Sequence, residues 1–113
     1  MTDIELLKLA AKAAGYKADW HSPEEDTYGI GFFTVDGSIW NPLEDYGPAL
    51  QLSVQLEISI EYSRPWDKQS YVAAFNNGQI LVRVVVELVE SDRGAATRRA
   101  IVRAAAEIGE AMP

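Results

Sequence analysis

Residues 40–62 read WNPLEDYGPALQLSVQLEISIEY, and the way this stretch folds decides the architecture of the chain. Trp40 is followed by the turn signals Asn41-Pro42, Asp45 and Gly47-Pro48, after which the apolar pattern is unbroken. Leu50, Leu52, Val54, Leu56, Ile58, Ile60 and Tyr62 alternate with Gln51, Ser53, Gln55, Glu57, Ser59 and Glu61. Strict alternation over that length reads as a long strand. The same residues admit a second reading. Ala49, Leu52, Ser53 and Leu56 form a helical stripe, and Asp45 stands where an N-cap would. Pattern alone favours the strand.

On the N-terminal side, Thr2-Asp3-Ile4-Glu5 is a capping-box pattern in which Thr2 caps a helix and Glu5 reaches back. Ile4, Leu7, Ala11 and Ala14 follow at helical spacing with Leu6 and Ala10 beside them, and Gly15 supplies a left-handed stop. Tyr16 to His21 alternates weakly, as a short strand does. Ser22-Pro23-Glu24-Glu25-Asp26 is an acidic loop, and residues 30–35 and 38–40 flank the two-residue hairpin turn Asp36-Gly37.

On the C-terminal side, residues 71–75 read as a strand, and Asn76-Asn77-Gly78 turns into QILVRVVVELV at 79–89. There Ile80, Val82, Val84, Val86 and Leu88 fill one face, while Leu81, Val85 and Val89 partly fill the other. A strand apolar on both faces is expected to be covered on both. Ser91 or Asp92 caps a last helix whose buried stripe is Ile101, Ala104, Ala105, Ile108 and Met112. The small alanines permit close approach to a sheet.

The chain has 113 residues, enough for one domain with a single core, and no cysteine. Disulfides, thiolate zinc sites and cysteine nucleophiles are thereby excluded, and a reducing compartment fits. The N-terminus lacks signal-peptide character, and no apolar run approaches the ~20 residues of a membrane helix, so a cytoplasmic protein without membrane contact is expected. Net charge is −7, from 17 acids against 10 Lys plus Arg. Such a balance opposes nucleic-acid binding, which draws affinity from phosphate neutralisation; mimicry of a phosphate backbone is the lesser reading.

Three segments, ELLKLAAKAAG, WNPLEDYGPALQLSVQL and ATRRAIVRAAAEIGEAM, resemble the phage ABA (alpha–beta–alpha) sandwich domain, a family of tailed-phage and prophage proteins. They touch both ends and the middle of the chain. The resemblance implies an α/β/α sandwich in which a helix over about 46–57 feeds a strand over about 58–63, against the pattern-based strand. Tyr46-Gly47-Pro48 departs from the small acidic residues of the family pattern and implies a later helix start. The family brings no established activity. The resulting expectation is one domain over 1–113, an α+β three-layer α/β/α sandwich with mostly antiparallel strands and about three helices.

No phosphate loop, serine elbow or metal-ligand spacing is present, so neither cofactor nor metal is expected. His21 is the only histidine. With Asp19, Glu24 and Glu25 near it in sequence it is the one point on which an unfamiliar active site could be built; a satisfied structural histidine is the plainer reading. Arg93, Arg98, Arg99 and Arg103 form a basic cluster that reads first as a solvated helix face. Among the tryptophans, Trp40 reads as a core residue, while Trp66 lies in the polar loop SRPWDK at 63–68. The candidate interaction surface is Trp66, Arg64, Trp40, Arg98 and Arg99. The functional expectation is a non-enzymatic phage or prophage accessory protein that binds and modulates a host or phage protein. An enzyme with a site near His21, or a minor virion component, is the alternative.

Overall fold

The computed structural model describes residues 1–24, 29, 31–64, 70–76, 82–87 and 92–113. In chain order the elements are α1 (Asp3–Ala14), β1 (Ala18–His21), β2 (Phe32–Val35), β3 (Ser38–Ile39), α2 (Tyr46–Gln55), β4 (Ser59–Tyr62), β5 (Tyr71–Asn76), β6 (Val82–Glu87) and α3 (Arg93–Ala111). The strands form two three-stranded antiparallel sheets, ordered β1-β2-β3 and β4-β5-β6. The chain is thus a mixed α+β sandwich with three helices and antiparallel strands, as the sequence led us to expect.

Local chemistry sets most of the boundaries. Thr2 Oγ1 accepts from the Glu5 amide at the start of α1, and Gly15 ends it at φ 75° with amide bonds from Gly15 and Tyr16 back to Lys12 and Ala11. That pair of bonds is a Schellman cap, which needs the left-handed residue glycine supplies. Ile4, expected in the buried stripe, is instead exposed; Leu6, Leu7, Ala10, Ala11 and Ala14 are the buried residues. The Asp36-Gly37 turn has φ 52° and 80°, the two positive values that suit the twist of a tight hairpin.

The central stretch is helical. Residues Tyr46–Gln55 form α2, and the long strand that alternation favoured is confined to Ser59–Tyr62. Burial shows why. Leu52 is 0 % exposed, whereas Leu50 is 63 % and Val54 70 % exposed, although all three share one face of a strand. A helix sets positions 50 and 52 about 200° apart and separates them in this way. Nor does α2 begin late: Pro48 falls in its first turn, where proline has no helical donor to forfeit. The end of α2 repeats the Schellman geometry, with Ile58 N–H on Ser53 O at 2.9 Å and Glu57 N–H on Val54 O at 3.4 Å. Here the left-handed position is Glu57, at φ 54°.

Helix α3 is the centre of the molecule. It packs against α1, α2, β5 and β6. Ala100, Ile101, Val102, Ala104, Ala105, Ala106, Ile108 and Gly109 are all buried, well beyond the single stripe expected. α1 runs parallel to it, with Asp3 on Arg99 and Lys12 Nζ donating to Met112 O. Gly109 allows the close approach: a Cβ there would lie 2.1 Å from Leu9 O.

Sheet β4-β5-β6 presents Val72, Ala74, Val82 and Val84 to this core. Val85, on the opposite face, is 49 % exposed, which corrects the expectation of cover on both faces at that position. α3 packs on the Val84 side of β5 and β6, away from Val85. Leu81, Val89 and the other residues of 77–81 and 88–91 lie outside the described residues.

Candidate functional site

The turn that starts with Trp40 anchors one side of the site. Asn41 Oδ1 accepts from Leu43 N–H, Asn41 O accepts from the Glu44 and Asp45 amides, and Pro42 is fully buried. Arg98 of α3 donates from Nε to Leu43 O at 2.9 Å, tying the turn to the central helix. The Arg98 guanidinium also stacks over the Tyr46 ring, 4.5 Å from its centroid. Tyr46 in turn lies against α3 at Gly94, where an added Cβ would stand 1.9 Å from its hydroxyl.

Tyr62 holds the other side. Thr97 Oγ1 donates to Arg93 O at 2.8 Å, leaving its oxygen to accept from the Tyr62 hydroxyl at 2.7 Å. Arg93 sits over the Tyr62 ring at 5.3 Å. Between these two tyrosine–arginine pairs lies a cleft of about 430 Å³, walled by α2 and β4 with α3 beneath. Its lining includes Ala49, Leu50, Ser53, Ile60 and Ile101, and among the described residues that line it Arg98 is the one that carries a charge. Tyr46, Leu50 and Val54, at i, i+4 and i+8 on α2, leave an exposed apolar row along its rim.

A second cleft, of about 380 Å³, opens between the β2–β3 hairpin and the start of α2, with Trp40 and Tyr16 in its wall. Trp40 is only 5 % exposed and meets Tyr16 edge-on at 6.1 Å, so it serves the core rather than a surface. Its indole N–H is buried without a hydrogen-bond partner.

The other expected site residues scatter. Arg99 points to α1 and holds Asp3 through two bonds of 3.1 and 3.3 Å, away from Arg98. Arg64 is exposed just beyond β4. Trp66 lies outside the described residues, as do Glu25 and Asp26 of the acidic loop. The half-buried His21 ring stacks on Phe32 at 4.7 Å, with Nε2 3.1 Å from Thr34 Oγ1, and lines neither cleft. Among the described residues no three His, Asp or Glu side chains converge as metal ligands, and no helix is long and apolar enough to cross a membrane.

Tyr46, Leu50, Tyr62 and Thr97 were not singled out by the sequence. For Tyr46 and Leu50 the signal existed only in the helical reading, where 46, 50 and 54 form a row with no core role; Tyr62 and Thr97, on β4 and α3, carried none. Comparison with protein-family models, with curated proteins and with solved structures found no match.

Proposed function

We propose that the chain is a protein-binding module that acts through the cleft between α2 and β4. The observation that carries this reading is the exposed apolar row Tyr46, Leu50 and Val54, continuous with a cleft flanked by Tyr62. A small domain ordinarily keeps its exposed large apolar residues scattered, and a contiguous set beside a concavity marks an interaction site. Tyrosines and arginines, the residue types that dominate binding hot spots, frame it. The resemblance of three segments to phage ABA sandwich proteins supports a role as a phage or prophage accessory protein, modulating a host or phage protein in the bacterial cytoplasm. The excess of acids supports a protein partner over a nucleic acid.

The test uses immobilised wild-type protein and a Leu50→Asp variant exposed to bacterial lysate. Leu50 is 63 % exposed, so the substitution leaves the melting temperature within about 3 °C. A protein retained by the wild type and lost with Leu50→Asp supports the reading. Equal retention by both contradicts it.

A further inference from the structure

Beside the cleft, β4 is the edge of its sheet, with β5 on one side and no strand among the described residues on the other. The ladder fixes which main-chain groups face outward. Ser63 N–H donates to Tyr71 O of the β5 strand, so by alternation Ser59, Glu61 and Ser63 turn their groups toward β5. Ile58, Ile60 and Tyr62 turn theirs the other way. At Ile58 both outward groups are satisfied by Ser53 of α2, whose carbonyl accepts from Ile58 N–H and whose hydroxyl donates to Ile58 O at 2.7 Å. Beyond that point α2 diverges, and the outward amides and carbonyls of Ile60 and Tyr62 face the cleft's mouth. The side chains of the same two residues line the cleft itself.

We infer that the cleft takes an extended segment of a partner protein, added as a fourth strand on β4, with an acidic side chain of that segment set against Arg98. The inference rests on the protein-binding reading above. An added strand supplies main-chain partners to Ile60 and Tyr62, and every second side chain of it drops into the apolar space between Leu50, Ile60 and Ile101. A helix laid in the same cleft would leave those main-chain groups unsatisfied, because its own are spent internally. Charge selects the rest of the ligand. Arg98 is the lone charge among the described residues of the lining, with Nε committed to Leu43 O and its guanidinium face on Tyr46. Its remaining N–H groups suit a carboxylate. A second copy of this chain is a poorer occupant. Pairing Ile60 with Tyr62 across two β4 edges puts two Glu61 carboxylates face to face, between chains of charge −7 each.

The test is selection of a displayed random decapeptide library on the wild-type protein, followed by titration of synthetic winners and amide hydrogen exchange of the complex. The winners are expected to carry apolar residues at alternate positions with an Asp or Glu in fixed register. Bound peptide slows exchange of the Ile60 and Tyr62 amides, and Arg98→Gln weakens binding about tenfold or more. The exchange readout needs no variant, so it holds even if Arg98→Gln unfolds the chain. Winners with apolar residues every third or fourth position, no binder at all, or a β4-mediated dimer in sedimentation overturns the inference. Peptides lost with Leu50→Asp that leave the Ile60 and Tyr62 amides unprotected sink strand addition while leaving the protein-binding reading standing.

Discussion

Glu57 holds a backbone conformation that normally goes to glycine. At φ 54° it closes the same hydrogen-bond pattern at the end of α2 that Gly15 closes at the end of α1. A β-carbon in the left-handed region costs energy that glycine does not incur. The exposed Glu57 side chain has little else to lose. Glu57→Gly should therefore raise stability by about 0.5–1 kcal/mol, or roughly 2–5 °C in a thermal melt. Gly15→Ala should do the reverse by about 1–2 kcal/mol, purely through backbone strain, since no atom lies within 4 Å of the new Cβ. A matched pair on β6 probes burial in the same way. Val84, 2 % exposed, should not tolerate Asp: an unpartnered carboxylate in that core costs several kcal/mol, a large share of a typical ~5–15. Val85→Asp, at a position 49 % exposed, should stay within about 0.5 kcal/mol by denaturant titration.

At the scale of elements, legibility followed redundancy. α1 was readable because cap, stripe and stop agreed, and the Asp36-Gly37 hairpin because its turn residues leave few alternatives. α2 was not, since Leu50, Leu52, Val54 and Leu56 satisfy a two-residue period while Ala49, Leu52 and Leu56 satisfy a helical one. The stop signal that would have separated them is disguised, because Glu57 rather than glycine occupies the left-handed position. The site suffered from the same ambiguity: Leu50 and Val54 look like core residues in a strand and become an exposed row only in a helix. Burial now makes a sharp distinction testable. Leu52→Ala should cost about 2–5 kcal/mol, while Leu50→Ala should fall within about 0.5 kcal/mol. The small residues of α3 were read as room for a sheet, whereas the backbone approach of α1 at Gly109 was not legible. Gly109→Ala should destabilise more than an ordinary surface change, by about 2 kcal/mol or more, because a carbonyl of Leu9 cannot move aside as a side-chain tip can. Equal melting of this variant and the wild type would contradict that packing.

Across the whole molecule, α3 lies at the centre, packed on β5 and β6 of its sheet and against α1 and α2. α2 is pinned to β4 only at its end, through Ser53 and Ile58, and to α3 through the Arg98–Leu43 bond and the Tyr46–Gly94 contact. Between those anchors the two elements separate, and the cleft follows from that separation. No single sequence motif encodes it, because its residues come from three elements brought together only by packing. Amide hydrogen exchange of the free protein across residues 46–63 examines the helix, its cap and the open edge together. Continuous protection is expected from Ala49 to Leu56, with protection of Ile58 and then alternation in β4, Ser59, Glu61 and Ser63 exchanging slowly and Ile60 and Tyr62 fast. Alternating protection already at 50–56, or slow exchange at Ile60 and Tyr62, would contradict that arrangement.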